Sequence, residues 1–463
     1  MVNDTIIAPA TAMVNSGIGI IRLSGDKSIE ITSNLFSDLN EMKSHTIRYG
    51  FLVDGENVID EVMVSLMKAP HSYTREDVVE INCHGGVRMM NHILECLIKN
   101  GARLAEPGEF TKRAFLNGRI DLTQAEAVMD IIRSKNEFAL RSSVSQLRGK
   151  ILDAVVGMRE DILYQIAYIE AALDDPEHFS LDGYDELLHS KVEKIMASLE
   201  SLLKTAGQGR ILKEGINTVI VGKPNVGKSS LLNLLVGEDR AIVTDIAGTT
   251  RDILSESVLM DGFMLNIIDT AGIRQTEEKI EKIGVEKTLK HIEEAELIIY
   301  MIDLAVGIDD EDIKISELIS NKKVITLLNK VDINRDINDS DLEDIVHNIY
   351  PHVDNSGDIP IIKVSAKKNI GMKELTAAIR DLFLSDELKE KREVYITSER
   401  HKEALHNALA SMKQVREGLI NKVSEDFLTI DMMSAYESLG KMIGEQVDDD
   451  LVNEIFGKFC VGK

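Results

Sequence analysis

The chain has 463 residues, of which 53 are Lys or Arg and 78 are Asp or Glu, so its formal net charge is −25. With 44% apolar and 28% charged residues, the composition predicts a soluble folded protein. The length predicts roughly three domains of about 150 residues each. The acidic balance argues against a chain that binds nucleic acid over its whole surface, and leaves open a local basic patch or a partner that supplies one. Cys83, Cys96 and Cys460 are too few for a disulfide framework, and no signal peptide or membrane span is expected, so we expect a cytoplasmic protein.

The first 119 residues predict a mixed α and β domain. Strand-like runs separated by Gly, Pro, Asn and Asp lie at 5–8, 18–23, 61–67 and 78–83. A helical run follows at 86–99. In the last strand apolar and polar residues alternate, which predicts that Glu80, Asn82 and His84 share one face. That face is either simply exposed to solvent or lines a site; His84 has no partner at metal-ligand spacing.

Residues 120–213 predict a helical domain, and residues 385–463 predict its second part. One helical run extends from 122 to about 173, with Thr123 and Glu126 as a capping box. Another spans 184–206 and ends at Gly207 and Gly209. Between the two parts, residues 214–384 alternate buried strands with helices, which is typical of a mostly parallel sheet. The predicted fold class is therefore multidomain α/β, with an α/β domain inserted into a helical one.

The inserted domain begins with a phosphate-binding motif. Residues 222–229 read G-K-P-N-V-G-K-S, which matches G-x-x-x-x-G-K-[ST] between a strand and a helix. The alternative is a glycine-rich turn that binds nothing. Lys228 is expected to reach the β- and γ-phosphates, and Ser229 to bind Mg²⁺. The remaining predicted phosphate contacts are Asn225, Val226, Gly227 and Ser230.

Three more motifs follow in order after apolar strands. They are Asp269-Thr270-Ala271-Gly272, Asn329-Lys330-Val331-Asp332 and Ser365-Ala366-Lys367. Asp269 can hold the water shell of Mg²⁺, and the Gly272 N–H can sense the γ-phosphate. A carboxylate at Asp332 can pair with the N1–H and 2-amino group of guanine, which selects GTP. Together with the phosphate loop, these motifs resemble the Ras-like P-loop GTPases over about 215–384.

The segment between the phosphate loop and Asp269 predicts how the reaction is assisted. It contains Thr244-Asp245-Ile246-Ala247-Gly248-Thr249-Thr250, and we assign Thr250 to Mg²⁺. Ile273 stands where small signalling GTPases place a glutamine, so another group must orient water. Asn225 with G-T-T-R-D resembles the bacterial GTPases that are activated by K⁺ and by dimerisation of their G domains. That resemblance implies K⁺ ligands at Asn225, Thr244, Ile246 and Thr249.

The flanking segments carry a more specific resemblance. Residues 17–25, 72–86 and 105–130, the inserted GTPase domain and the final Cys460-Val461-Gly462-Lys463 occur together in order. In this combination the whole chain resembles the MnmE (TrmE) family of tRNA modification GTPases. The resemblance implies that Glu281 positions the attacking water and acts with Lys228 in catalysis. From spacing alone, Glu281 is more simply an exposed carboxylate at a helix start.

The same resemblance implies a folate-binding N-terminal domain through which two chains form a homodimer. It implies folate contacts at Arg22, Glu80, Arg119 and Lys463. The Glu80 carboxylate would pair with the pterin ring, and the three cationic side chains would attract the acidic tail. It also implies a flavoprotein partner, MnmG, which holds FAD and forms a heterotetramer with the dimer. Together they would add a carboxymethylaminomethyl or aminomethyl group to C5 of wobble uridine 34 in certain tRNAs. The carbon would come from a 5-formyl- or methylene-tetrahydrofolate.

Two other functions remain open on sequence grounds. A ribosome-assembly GTPase would switch without modification chemistry, and a scaffold would use nucleotide only to dimerise. The loop at 11–17 departs from the family's Thr-Pro and glycine pattern. Residues 425–454 hold nine acidic residues and one base, which indicates either a solvated helix face or a docking surface for a basic partner.

Overall fold

The computed structural model describes residues 4–37, 39–237, 256–260, 262–268, 290–333, 349–350, 359–383, 395–445, 447–459 and 462. The chain divides into two compact units. One unit comprises the described residues of Met1–Ile132, Ser143–Leu199 and Glu403–Lys463. The other comprises those of Arg133–Ser142 and Glu200–Lys402.

The first unit contains a six-stranded sheet in the order β3-β4-β5-β2-β1-β6. Its strands are β1 (Ile6–Pro9), β2 (Ser16–Ser24), β3 (Thr46–Asp54), β4 (Asn57–Met67), β5 (Val78–Gly85) and β6 (Arg103–Leu104). Neighbouring strands are antiparallel except β1 and β6. Helices α1 (Ser28–Ser33), α2 (Val87–Lys99) and α3 (Glu109–Leu116) accompany it. The predicted alternation in β5 is confirmed, because Val79, Ile81 and Cys83 are buried while the intervening polar residues are not.

Long helices complete this unit. They are α4 (Leu122–Arg133), α5 (Glu137–Leu147), α6 (Lys150–Asp174), α7 (Tyr184–Glu214), α11 (Glu399–Ile420), α12 (Glu425–Ile443) and α13 (Asp449–Gly457). Some residues of α4, α5, α7 and α11 belong to the second unit. Helices α6 and α12 pack along each other, and their apolar stripes are buried. Among the described residues, none of the helices is apolar over a length that would cross a membrane.

The second unit contains the other six-stranded sheet, ordered β12-β11-β10-β7-β9-β8. Its strands are β7 (Ile216–Val221), β8 (Glu256–Met260), β9 (Phe263–Ile267), β10 (Leu297–Asp303), β11 (Lys323–Asn329) and β12 (Ile361–Lys363). Among the described strands of this sheet, only β8 and β9 pair antiparallel. Helices α8 (Lys228–Val236), α9 (Asp310–Ile319) and α10 (Met372–Phe383) accompany the sheet. Apolar clusters cover both faces of the sheet, as expected for a parallel sheet with helices on either side.

Three details of the helical prediction are wrong. The single run predicted at 122–173 is three helices, because the chain breaks at 134–136 and at Gly149, which adopts φ +87°. The cap of α4 is Asp121, whose Oδ1 accepts the Thr123 N–H at 2.7 Å, so the helix begins before the predicted capping box. Helix α7 continues through Gly207 and Gly209 to Glu214.

Candidate functional site

The phosphate loop lies between the end of β7 and the start of α8. Gly222 and Gly227 adopt φ of +148° and +106°, which side-chain-bearing residues rarely reach. A Cβ on Gly222 would lie 2.4 Å from the Met301 carbonyl oxygen, so the loop closely approaches β10. The loop thus has the backbone curvature that turns successive N–H groups toward an anion at a helix N-terminus.

Lys228 begins α8 and bends back over the loop. Its Nζ donates to the carbonyl oxygens of Gly222 at 2.6 Å and Lys223 at 2.7 Å. Burial lowers the pKa of this amine, because a charge is less stable away from water. Ser229 and Ser230 follow in the first turn and are exposed, so an incoming nucleotide and metal can reach them. This arrangement places the amine of Lys228 at the phosphate-binding concavity.

The predicted guanine-binding residues come together beyond β11. Asn329 Nδ2 donates to the Val226 carbonyl at 2.7 Å, and its Oδ1 accepts the Ala366 N–H at 3.1 Å. The Ser365 hydroxyl donates to Asp332 Oδ1 at 2.8 Å and, as the main cause, lowers the pKa of Asp332. Asp332 is therefore an oriented carboxylate, as recognition of the guanine N1–H and amino group requires. Val331 N–H donates to Val364 at 3.3 Å, and Lys367 is exposed.

Both loops contain a non-glycine residue in the left-handed region. Asn225 has φ +63° and Lys330 has φ +69°. Such conformations are uncommon outside glycine and collect at ligand-binding loops. Asn tolerates them well, whereas Lys330 is held by an ion pair from its Nζ to Asp303 at 2.5 Å. The Lys330 side chain is thus tied to the end of β10.

Several predicted site residues lie outside the described residues. These are Thr244, Asp245, Ile246, Ala247, Gly248, Thr249, Thr250, Asp269, Thr270, Ala271, Gly272, Glu281 and Lys463. The described residues therefore include the phosphate loop and the guanine-binding loop of the second unit and, separately, an N-terminal cluster around Arg22 and Glu80 in the first unit.

The N-terminal cluster centres on an ion pair across two strands. Arg22 Nε lies 2.7 Å from Glu80 Oε1, and both side chains are about one-fifth exposed, at 19% and 22%. Arg22 Nη1 also donates to the Gly462 carbonyl at 3.3 Å, which brings Gly462 to this pair. Gly462 has φ +92°, and a Cβ there would lie 2.1 Å from the Pro9 carbonyl oxygen, so the close approach requires glycine.

Arg119, another predicted folate contact, packs against an aromatic ring. Its guanidinium lies 4.8 Å from the centre of the Tyr73 ring, and that of Arg22 lies 5.8 Å from the Phe110 ring. Tyr73 and Phe110 belong to one apolar cluster. Arg22 and Arg119 therefore each lie against an aromatic side chain of this cluster, and Glu80 pairs with Arg22, so a carboxylate and two guanidinium groups are available to an acidic heterocyclic ligand.

Several side-chain partners of the candidate residues could not be predicted from the sequence. The hydrogen-bond partner of His84 is one: its Nδ1 lies 2.7 Å from the buried Asp60, which also accepts the His84 backbone N–H at 2.9 Å. The clue is that Asp60 occupies an inward position in β4, in phase with Val62 and Val64. The acidic partners of Lys330 and Lys223 were likewise missed.

Comparison with known proteins agrees with this geometry. The family model for the GTP-binding protein TrmE N-terminus matches residues 5–119, and that for the MnmE helical domain matches residues 122–460. Proteins named tRNA modification GTPase MnmE are similar over essentially their full length. The one from Lachnoclostridium phytofermentans is 51% identical over 100% of both chains, and that from Acetivibrio thermocellus is 46% identical over 99% of both.

Among solved structures, a point variant of Era from Aquifex aeolicus bound to GDP·AlF4⁻ is 30% identical over 43% of this chain and 67% of its own, with a TM-score of 0.28. The full-length similarity to the curated relatives and the two family models together cover both the flanking domains and the inserted one. The chain therefore belongs to the MnmE family of tRNA modification GTPases.

Proposed function

We propose that this chain is a K⁺-stimulated GTPase that, with a flavoprotein partner, adds a carboxymethylaminomethyl or aminomethyl group to C5 of wobble uridine 34. Its family membership already makes it a GTP-binding hydrolase of tRNA modification. The finer reaction rests mainly on one observation. Arg22, which is paired with Glu80, donates to the Gly462 carbonyl, so Gly462 adjoins a carboxylate and guanidinium pair in the N-terminal domain.

Folate is the ligand that fits this chemistry best. In the proposed complex, Glu80 accepts hydrogen bonds from the pterin ring, while Arg22, Arg119 and Lys463 attract the acidic tail. A bound 5-formyl- or methylene-tetrahydrofolate would supply the one-carbon unit. The protein's contribution is to hold that ligand between β2, β5 and the C-terminal residues. FAD would come only through the flavoprotein.

Nucleotide hydrolysis is assigned to the second unit. Lys228 would bind the β- and γ-phosphates, Ser229 and Thr250 would hold Mg²⁺, and Asp269 and Gly272 would respond to the γ-phosphate. Asn225, Thr244, Ile246 and Thr249 would coordinate K⁺, whose charge offsets that of the transferring phosphoryl group. Glu281 would position the attacking water. The exposed, left-handed Asn225 supports this assignment, since its side chain is free of the buried core.

The proposed homodimer would form through the N-terminal domains and would bind the flavoprotein as a heterotetramer. GTP would bring the G domains of the two chains together, and hydrolysis would release them. Support comes from β3, an edge strand with exposed Ile47, Tyr49 and Phe51. Exposed apolar patches of this kind commonly mark protein interfaces.

Mass spectrometry of wobble uridines tests the proposal. In cells that lack this chain, the C5 modification is expected to disappear and to return with the wild-type protein. Glu80→Gln should fail to restore it while keeping GTP hydrolysis, because the substitution affects only the folate site. Glu95→Gln, on the exposed face of α2, is the matched control and should restore the modification fully.

Direct binding separates the folate assignment from other causes. Calorimetry with 5-formyltetrahydrofolate should detect binding to the wild type and to Glu95→Gln, and at least tenfold weaker binding to Glu80→Gln, since a charged hydrogen-bond partner is lost, at about 1.5–3 kcal/mol. Equal affinities would exclude Glu80 as a folate contact. Unchanged uridines with accumulating ribosomal particles would instead favour a ribosome-assembly switch.

A further inference from the structure

The connection between β10 and α9 carries acidic residues at both of its ends. It runs from Asp303, the last residue of β10, to Asp312 in the first turn of α9, with Asp309 as the helix cap. Each end holds a lysine that belongs to a different nucleotide-binding loop. Neither pairing is part of the phosphate, metal or guanine contacts assigned above.

At one end, the acids hold Lys223, the second residue of the phosphate loop. Its Nζ lies 2.6 Å from Asp312 Oδ2 and 2.8 Å from Asp309 Oδ2. The Asp312 side chain is fully buried and that of Lys223 is 10% exposed. The Tyr300 hydroxyl donates to Asp312 Oδ1 at 3.0 Å, and the Asp309 N–H donates to Oδ2 at 3.1 Å. The buried charge is therefore fully paired, as its burial requires.

At the other end, Asp303 holds Lys330 of the guanine-binding loop. The Nζ–Oδ2 distance is 2.5 Å, and the Asp303 side chain is 7% exposed. Asp303 Oδ1 accepts the Ala305 N–H at 2.9 Å, which orients the carboxylate. Because Lys330 has φ +69°, this ion pair also holds a conformation that its backbone disfavours.

We propose that residues 303–312 form a brace that fixes the spacing between the phosphate loop and the guanine-binding loop. The two loops bind opposite ends of one nucleotide, so their separation must match the distance between its bound base and its bound phosphates. A pre-set separation lowers the ordering cost of binding. Lys223 and Lys330 are anchored to one short segment, and Lys223, turned toward the acids, is a positioning residue. The inference depends on GTP binding and is independent of the folate and K⁺ assignments.

Nucleotide kinetics on the full-length chain test the brace. In Lys223→Met we expect a fluorescent GDP analogue to dissociate about tenfold faster and the KM for GTP to rise by a similar factor, with a smaller change in kcat, because binding geometry is lost. Asp303→Asn should change the same two quantities in the same direction. Lys223→Arg, which keeps the charge, should recover most of the affinity.

The matched control is Lys314→Met, which removes an exposed lysine from α9 and should leave both quantities at wild-type values. Unchanged dissociation and KM in Lys223→Met would overturn the brace. So would a fall in kcat larger than the rise in KM, since Lys223 would then act on the reaction itself. If Lys223→Met does not fold, Asp309→Asn replaces it as the test, because the Asp309 side chain is 56% exposed and its substitution should leave the fold intact. GDP dissociation from Asp309→Asn as slow as from the wild type would overturn the proposal.

Discussion

At the phosphate loop, one glycine allows the two nucleotide-binding loops to contact each other. A Cβ on Gly227 would lie 2.3 Å from Asn329 Nδ2, an atom that already donates to Val226 in a buried position. Asn329 could yield only by losing that bond and its bond from the Ala366 N–H. The motif's second glycine is thus required by a tertiary contact as well as by its φ of +106°.

We therefore expect Gly227→Ala to weaken GTP binding by about ten- to a hundredfold, since a buried hydrogen bond is broken at a cost of about 1–3 kcal/mol. Equilibrium titration with a fluorescent GTP analogue measures this. Gly262→Ala, whose added Cβ would contact nothing within 4 Å, controls for strain at a positive-φ glycine outside the loop. Equal affinity of the Gly227 variant and the wild type would contradict the prediction.

A second residue-scale feature is a network in the N-terminal domain of two arginines, Arg103 and Arg113, and three acids, Asp4, Glu76 and Glu109. Glu109 accepts bonds from Arg103 at 2.7 Å and Arg113 at 3.0 Å. Burial alone would raise the pKa of Glu109, but hydrogen bonds from Arg103, the Glu106 N–H and Arg113 together lower it. Asp4, which pairs with the same arginines, also has a lowered pKa, for the same balance of causes.

A carboxylate with a lowered pKa in the folded state stabilises the fold above its unfolded-state pKa. This stability is lost as the pH falls through the folded-state value. We expect Glu109→Gln to reduce the free energy of unfolding by about 1–3 kcal/mol at pH 7. The difference from the wild type should shrink below about pH 4. Urea unfolding at pH 7, 5, 4 and 3 measures it, and a constant difference over that range would show that the charge of Glu109 contributes nothing.

At the scale of elements, helix α7 shows how tertiary contacts change the meaning of glycine. Gly207 and Gly209 resemble a helix stop in sequence, yet the helix passes through both. A Cβ on Gly209 would lie 2.3 Å from the Ile396 carbonyl oxygen, whereas one on Gly207 would contact nothing within 4 Å. Gly209 therefore permits the close approach of a neighbouring segment, and Gly207 makes no such contact.

The two glycines provide a matched pair of substitutions. Gly207→Ala should raise the free energy of unfolding by about 0.5–1 kcal/mol, because alanine loses less backbone entropy in a helix. Gly209→Ala should lower it by about 1–3 kcal/mol, because the backbone must move apart. Thermal and urea unfolding of both variants check the signs. A stabilising Gly209→Ala would mean that the contact with Ile396 is not needed.

At the scale of the whole molecule, we assign the proposed homodimer to the exposed apolar face of β3 and β4. Ile47, Tyr49, Phe51 and Met63 are between 45% and 67% exposed, and Tyr49 pairs with Met63 across the strands. Alternation along β3 places its three apolar residues on one side, at the edge of the sheet. Water contact with such a face is unfavourable, at about 25 cal/mol per Å².

If this face forms the proposed homodimer, Phe51→Lys should shift the protein from dimer to monomer. Light scattering after size-exclusion chromatography measures the mass directly. Leu318→Lys, at an equally exposed apolar residue on α9, should leave the mass unchanged. A dimer that persists in Phe51→Lys and in Tyr49→Lys would place self-association elsewhere on the chain.

Features that depend on local order along the chain could be predicted from the amino-acid sequence. The phosphate loop, the guanine-binding motif and the alternating strands around them were predictable because each combines a fixed residue spacing with an apolar strand. The polar face of β5 was predictable for the same reason, since side chains alternate along a strand. The family resemblance extended this to the N-terminal and helical domains, and the comparisons confirmed it.

Which distant groups meet could be learned only from the folded chain. The contact of Gly462 with Arg22 spans 440 positions, and the pairs of Lys223 with Asp312 and Lys330 with Asp303 join separate loops. Helix ends in the 122–173 run also depended on the fold, because packing outweighs the weak intrinsic propensity of a breaker-poor sequence. Local patterns fix what each segment can form, whereas burial and charge pairing across the fold fix what each segment contacts.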